Sequence, residues 1–245
     1  MRLTTKGIVI KEQTVMESDR LVTLLTADYG LVRAFVRGAK KANNRFISST
    51  SLFCYASYAL YRGNDAFVIS DAEPIEVFFP LRSDIEKLSL AQYFAQLALE
   101  LAEEERHSDE MIRVLLNGFY LLCKGEMPYK KIKSVVELRI ACLGGYMPNL
   151  VACDNCNTYE SDTMYFSIER GDIRCAECGN VYGYIPVGLG VITAMRFIIF
   201  SDIKKIFSFS LPDESLDILA DLTEKYLISK IQHPLSTLEF YKSLL

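Results

Sequence analysis

Histidine is scarce: the 245 residues hold two. His107 sits in a polar, acidic stretch with Ser108 beside it, and His233 precedes a proline. That leaves little material for catalysis of the Ser-His kind. Also missing is the phosphate-cradling G-x-x-x-x-G-K-S/T, and no G-x-G-x-x-G follows a strand-like segment. Gly188-Leu189-Gly190 is a lone G-x-G that a helix-start turn explains equally well. The carboxylates of residues 103–105 read as a solvated face. No hydrophobic run reaches the charge-free length of a membrane span; the strongest, residues 188–200, is too short and contains Arg196. No apolar run at the N-terminus resembles a secretory signal. The expectation is a binding protein without catalytic residues, away from the membrane and in the cytoplasm.

What is present is a core and an uneven charge. Half of the chain is hydrophobic, enough for one to three small domains. The net charge of −4 is mild. Residues 1–50, however, carry nine Lys/Arg against four Asp/Glu, and residues 51–110 carry four against twelve. A basic segment followed by an acidic one points to modules with different partners.

Four of the seven cysteines, Cys153, Cys156, Cys175 and Cys178, form C-x2-C, eighteen intervening residues, then C-x2-C. Each pair brings two thiolates to one side of a tight turn, and two such turns supply a tetrahedral sulfur set for one structural Zn²⁺. Four thiolates leave no open coordination position for catalysis. Two disulfides or a redox C-x-x-C are the alternatives. Between the pairs, residues 164–168 read as a strand and Glu169-Arg170-Gly171-Asp172 as a turn, with Gly179 and Asn180 suited to positive φ. Cys54, Cys123 and Cys142 stand in apolar contexts and read as buried small hydrophobes in a reducing compartment.

Alternating hydrophobicity marks five short strands, over residues 4–13, 20–27, 31–37, 52–61 and 66–71. Five strands in about 70 residues, with one long basic loop, fit an OB-fold barrel. Near Pro80 the period changes to 3.6. Ser83 with Glu86 reads as a capping box, and Leu90, Phe94, Leu97 and Leu101 fall on one helix face. Further helices are expected over 110–124, 127–143, 187–200, from Pro212 onward, and over 237–245. The fold class is α+β. An OB-fold domain covers 1–79, an α-helical domain covers 80–150 and 183–245, and a zinc ribbon is inserted at 151–182.

Arg33, Arg37, Lys40, Lys41 and Arg45 bracket the third strand and the loop after it, where their charges can track nucleic-acid phosphates. Phe35, Phe53, Tyr55 and Tyr61 are either stacking platforms or barrel filling. Arg20 has Asp19 beside it as a candidate partner.

The order of these parts, with Gly7-Ile8-Val9-Ile10, the run Asp19-Arg20-Leu21-Val22-Thr23-Leu24-Leu25-Thr26, Tyr29-Gly30, and Val36-Arg37-Gly38-Ala39-Lys40-Lys41, is specific. Later Glu137-Leu138-Arg139 and Leu143-Gly144-Gly145-Tyr146-Met147-Pro148 lead into the cysteines. Over nearly its whole length the chain resembles the bacterial DNA repair and recombination mediator family RecO. That resemblance implies an OB-fold bound to single- and double-stranded DNA, a helical domain, a zinc site that some members lack, and no catalytic turnover. It also implies annealing of complementary strands coated by single-stranded-DNA-binding protein (SSB), with the SSB C-terminal tail as a partner. With RecR, such proteins help load the RecA recombinase onto SSB-coated single strands, in the nucleoid-associated cytoplasm. The family's basic loop carries over to Arg37, Lys40, Lys41 and Arg45, and the chain departs from it with Asn43 and Asn44. Two other classes are an RNA-binding or transcription-associated module and a scaffold whose acidic helical region docks a protein.

Overall fold

The period-two segments form β1 (Arg2–Val15), β2 (Asp19–Thr26), β3 (Gly30–Val36), β4 (Tyr55–Arg62) and β5 (Phe67–Glu76). The structure, a computed structural model, describes residues 2–15, 19–39, 45–63, 66–178 and 182–245. The strands close into a barrel in the order β1-β2-β3-β5-β4, with β4 returning to β1. Four seams are antiparallel; β3 meets β5 in parallel at only two positions, Ala34 opposite Phe67 and Phe35 opposite Val68. Inward residues alternate as the pleat requires: Val22 and Leu24, Val32 and Ala34, Ala56, Tyr58 and Leu60 are all buried in one core. This is the OB-type barrel expected from the strand spacing, in an α+β chain.

The β2–β3 turn is held from both sides. Thr26 donates its hydroxyl to the Gly30 carbonyl at 2.8 Å and accepts from the Tyr29 N–H at 3.2 Å. The segment joining the first two helices then pairs with it. Leu31 N–H donates to Glu103 O, Glu105 N–H to Tyr29 O and Ser108 N–H to Ala27 O, at 2.9–3.2 Å. Gly30 has φ of +62°, and a Cβ there would lie 1.9 Å from the Glu103 carbonyl oxygen. Both conditions demand glycine.

Six α-helices follow among the described residues: α1 (Ile85–Leu101), α2 (Asp109–Lys124), α3 (Tyr129–Leu143), α4 (Leu189–Phe200), α5 (Asp213–Ile231) and α6 (Ser236–Lys242). The α1 cap differs from the expected box. A 3-10 turn over Phe79–Ser83 comes first, Ser83 donates back to Pro80 O, and Asp84 caps α1 by accepting from the N–H groups of Glu86 and Lys87. The carboxylate, one residue later than Ser83, reaches two helix N–H groups that the hydroxyl does not.

The chain divides into two compact units, 1–123 with 235–245, and 124–234. The expected helical segments are therefore shared: α1, α2 and α6 belong with the barrel, and α3, α4 and α5 with the cysteine ribbon. In the first unit α6 returns onto α1, where Thr237 donates to Gln96 Oε1 at 2.6 Å. In the second, β6 (Thr163–Phe166) is the central strand between β7 (Ile173–Cys175) and β8 (Ile185–Gly188). Residues 187 and 188, expected to begin a helix, instead end β8, with Val187 opposite Met164. Gly188 caps α4 in an extended conformation, which moves the helix start to Leu189.

Between α3 and α5 lies a buried ionic cluster. Lys133 Nζ is 2.8 Å from Glu137 and 2.7 Å from Glu224, and Thr223 donates to the other Glu137 oxygen at 2.8 Å. Burial alone would lower the Lys133 pKa, but the two carboxylates outweigh it and hold the group above the ordinary 10.5. Its contribution is complete below the unfolded lysine value and is lost only as pH climbs through the raised one. Lys133→Met should cost about 3–5 kcal/mol, because Glu137 is left buried without its cation. Gly30→Ala should cost at least about 2 kcal/mol through backbone strain and the clash with Glu103. Urea unfolding at neutral pH measures both, and an unchanged midpoint in either variant contradicts the corresponding role.

Candidate metal centre and nucleic-acid interface

The four expected cysteines come together. The Cys153 and Cys178 sulfurs are 3.6 Å apart, Cys156 and Cys175 3.5 Å, Cys175 and Cys178 3.4 Å, and all four lie within 4.8 Å of one another. No disulfide joins them, and every cysteine is a free thiol. A tetrahedral ion with metal–sulfur bonds of about 2.3 Å places its sulfurs about 3.8 Å apart. The set therefore fits one metal ion.

Local turns build this arrangement. In the first knuckle Asn157, at φ +62°, lets its N–H reach Cys153 O while Cys153 N–H reaches Thr158 O. Gly179 and Asn180, the positions suited to positive φ after the second pair, lie outside the described residues. The second knuckle is a 3-10 turn over Ala176–Cys178, fed by β7. Burial raises the Cys153 thiol, yet N–H groups of Cys175, Cys156 and Asn155 aimed at its sulfur bring it down to about 6. Of the other cysteines, Cys54 is buried, and burial pushes its thiol up to about 11. Cys142 is pushed up to about 12 the same way, though it and Cys123 are half-buried, not fully buried as expected.

Arginines brace the ribbon. Arg170 binds Asp172 at 2.6 Å and Asp154 at 2.8 Å, Arg174 lies 3.6 Å from Asp154, and Tyr184 donates to Asp172 at 2.7 Å. Arg196 is buried and donates to the carbonyls of Leu150, Val151 and Tyr159, with its guanidinium 4.1 Å from the Tyr159 ring. Three carbonyls converging on one planar fork use the geometry that arginine has and lysine lacks.

On the barrel, the register sorts the basic residues. Lys11, Thr23 and Arg33 lie opposite one another across β1, β2 and β3, on the outward side, and Lys11 and Arg33 are exposed. Arg37, one residue past β3, is exposed too. Lys11 was not among the residues expected to bind; its strand neighbour Thr23 and the bulge after Val9 put it in this row, which composition does not reveal. Asp71, Glu73 and Glu76 are exposed on β5, the strand beside the other edge of β3. Arg45 reaches that way, donating to Ser70 O at 3.0 Å and lying 3.6 Å from Asp71, with 70% of its side chain exposed. Lys40 and Lys41 lie outside the described residues.

Arg20 finds a different partner from its neighbour in sequence. It pairs with Glu12 at 3.2 Å and donates to Thr50 O at 3.3 Å, while Asp19 accepts from the Gly38 N–H at 2.8 Å. Both residues thus tie down the two ends of the loop after β3. Of the aromatics, Phe53 is fully buried against Phe119, at 5.0 Å between ring centroids, so it fills the interior. Phe35 and Tyr55 are half-buried, and Tyr61 is exposed.

The comparisons with known proteins agree with this architecture. The family model for the recombination protein O N-terminal region matches residues 1–78, and the one for the C-terminal region matches residues 82–239. The chain belongs to the RecO family. A DNA repair protein RecO of Acetivibrio thermocellus is 29% identical over 243 residues, covering 99% of this chain and 97% of that protein. RecO proteins of Clostridium novyi and Caldicellulosiruptor bescii are 28% and 25% identical, over 98% and 97% of this chain and 93% and 97% of theirs. Among the described residues no helix is long and apolar enough to cross a membrane.

The geometry separates arginines that hold the RecO barrel together from those that face outward. Arg20→Ala should lower the unfolding free energy by about 1–2 kcal/mol, the worth of charge-assisted bonds at a partly exposed site. Arg33→Ala should leave the unfolding midpoint where it is. Equal losses in the two variants would contradict the division.

Proposed function

We propose that this chain is a DNA-binding recombination mediator that anneals complementary strands and, with RecR, helps load RecA onto SSB-coated single-stranded DNA. Membership of the RecO family supports that role. The observation that carries the DNA site is the outward row of Lys11 and Arg33 across β1–β3, continued by exposed Arg37, while the exposed carboxylates of Asp71, Glu73 and Glu76 lie on β5. Phosphates are drawn to the first group and repelled by the second. OB barrels bind single strands on this strand face.

In this reading residues 1–79 form the DNA-binding module, and Arg33, Arg37, Lys40, Lys41 and Arg45 contact phosphates, joined by Lys11. Arg45 exchanges its exposed pairing with Asp71 for a phosphate, at little cost because such a pair is weak. The helices of 80–150 and 183–245 serve protein partners, RecR and the SSB C-terminal tail. The chain works in the cytoplasm, without a catalytic residue and without hydrolysing nucleotide. One zinc ion, held by Cys153, Cys156, Cys175 and Cys178, closes the ribbon at 151–182 and has a structural part only. Arg170 and Arg174 are engaged with Asp154 and Asp172, which makes the ribbon the poorer DNA surface.

Three measurements test this. Salt titration of binding to a labelled single strand should give a log–log slope that Arg33→Ala with Arg37→Ala flattens by about 1.4, from roughly 0.7 per phosphate contact. An unchanged slope in the folded double variant moves the site elsewhere, and equal or tighter binding to RNA of the same sequence favours an RNA-binding module. Metal analysis of protein purified without chelator should find one zinc per chain, and Cys175→Ser should lower thermal stability, since structural zinc contributes on the order of 10 kcal/mol in small peptide sites. A metal content near zero rejects the zinc assignment. Annealing of complementary oligonucleotides coated with SSB should proceed without ATP; DNA-stimulated ATP hydrolysis that survives stringent purification would overturn the non-catalytic reading.

A further inference from the structure

The parallel seam of the barrel is short, and below it the wall opens. β3 pairs with β5 only at Ala34 and Phe35, while its start at Gly30 and Leu31 is taken by the α1–α2 linker. A cleft of about 530 Å³ lies along this part of β3, floored by Leu3, Val32 and Phe67. That volume falls in the range of small-molecule sites, roughly 300–1,000 Å³. Four charged residues line it: Arg33 and Arg62 from the barrel, Glu104 and Glu105 from the linker. Among the described residues these four side chains form no ion pair or hydrogen bond. Two unpaired cations and two unpaired carboxylates therefore share one cleft with an apolar floor.

A ligand matching that lining has an anionic end, a flat apolar body and an edge of hydrogen-bond donors. A nucleotide has all three. We infer that this cleft is a slot for a single unstacked nucleotide, with phosphate toward Arg33 and Arg62, the base over the apolar floor, and guanine preferred by Glu104 and Glu105. Guanine is singled out by chemistry: its N1–H and N2–H₂ are adjacent donors, which one carboxylate accepts together. Adenine and cytosine offer one amino group beside an acceptor, and thymine offers a single N–H between two carbonyls. Unstacked bases are commonly held on their Watson–Crick edge in this manner. Arg33 belongs both to this cleft and to the outward row with Lys11, so a strand crossing β1–β3 delivers a nucleotide here. The inference rests on the DNA-binding reading for its setting, and its test separates the two.

The full chain is titrated calorimetrically with dGMP and with dTMP. dGMP should bind at least about fivefold tighter, the lower end of what a bidentate base contact gives. Glu104→Gln with Glu105→Gln should bring that ratio to about one, and Arg62→Ala should weaken both nucleotides alike. The single variants Glu104→Gln and Glu105→Gln replace the double one if it does not fold. In a second arm, a thymidine oligonucleotide carrying one central dG should bind about fivefold tighter than the all-thymidine one, again only with both glutamates present. Equal affinities for dGMP and dTMP, or a preference that survives loss of the carboxylates, overturn the slot. If thymidine strands bind but dG adds nothing, the slot falls and the DNA-binding reading stands. If no oligonucleotide binds while the glutamate-dependent dGMP preference persists, the slot stands and the DNA-binding reading falls.

Discussion

Closure of the barrel through one parallel seam is the constraint on which the first unit depends. A five-stranded sheet that runs β1-β2-β3 and returns through β4 and β5 must bring β3 beside β5 in parallel. Here that contact spans two residues, so most of the β3 edge needs another partner for its N–H and C=O groups. The α1–α2 linker supplies it through Leu31, Tyr29 and the Gly30–Glu104 bridge. This requires glycine at residue 30, fixes the first two helices on the barrel, and leaves open the stretch of wall lined by Arg33 and Arg62.

Arginine serves three separate purposes in this chain, and packing decides which. Arg196 is buried and its planar fork donates to three carbonyl groups at once. Half-buried Arg20 and Arg174 and exposed Arg170 hold loops through carboxylates. Arg33 and Arg37 point outward. A count of basic residues in the first fifty treats Arg20 and Arg33 alike, yet Arg20 closes the loop and Arg33 does not.

The mild net charge conceals a polarised barrel. Exposed Asp71, Glu73 and Glu76 lie on β5, and exposed Lys11 and Arg33 on the β1–β3 face. Because fields from groups of opposite sign partly cancel at a distance, net charge says little about what either group attracts nearby. The same polarity accounts for Arg45, which follows the basic strand in sequence but turns toward Asp71.

Features set by short-range chemistry were legible in the sequence alone. The C-x2-C pairs determine a sulfur cluster, because each knuckle is closed by bonds within a few residues of the cysteines. Strand alternation determines five strands, since the pleat repeats every two residues, and Pro212 with the acids after it marks α5. What only the tertiary structure decided involves partners distant in the chain. Asp84, not Ser83, caps α1 because the 3-10 turn before it sets the approach angle. Val187 joins a strand, not a helix, because β6 offers a free edge. Phe53 is interior because α2 brings Phe119 onto it, and Lys11 faces out beside Arg33 because a bulge shifts the register of β1. Glu104 and Arg33 come to line one cleft from positions 71 residues apart, which no local pattern encodes, because a contact of that range exists only once the barrel has closed.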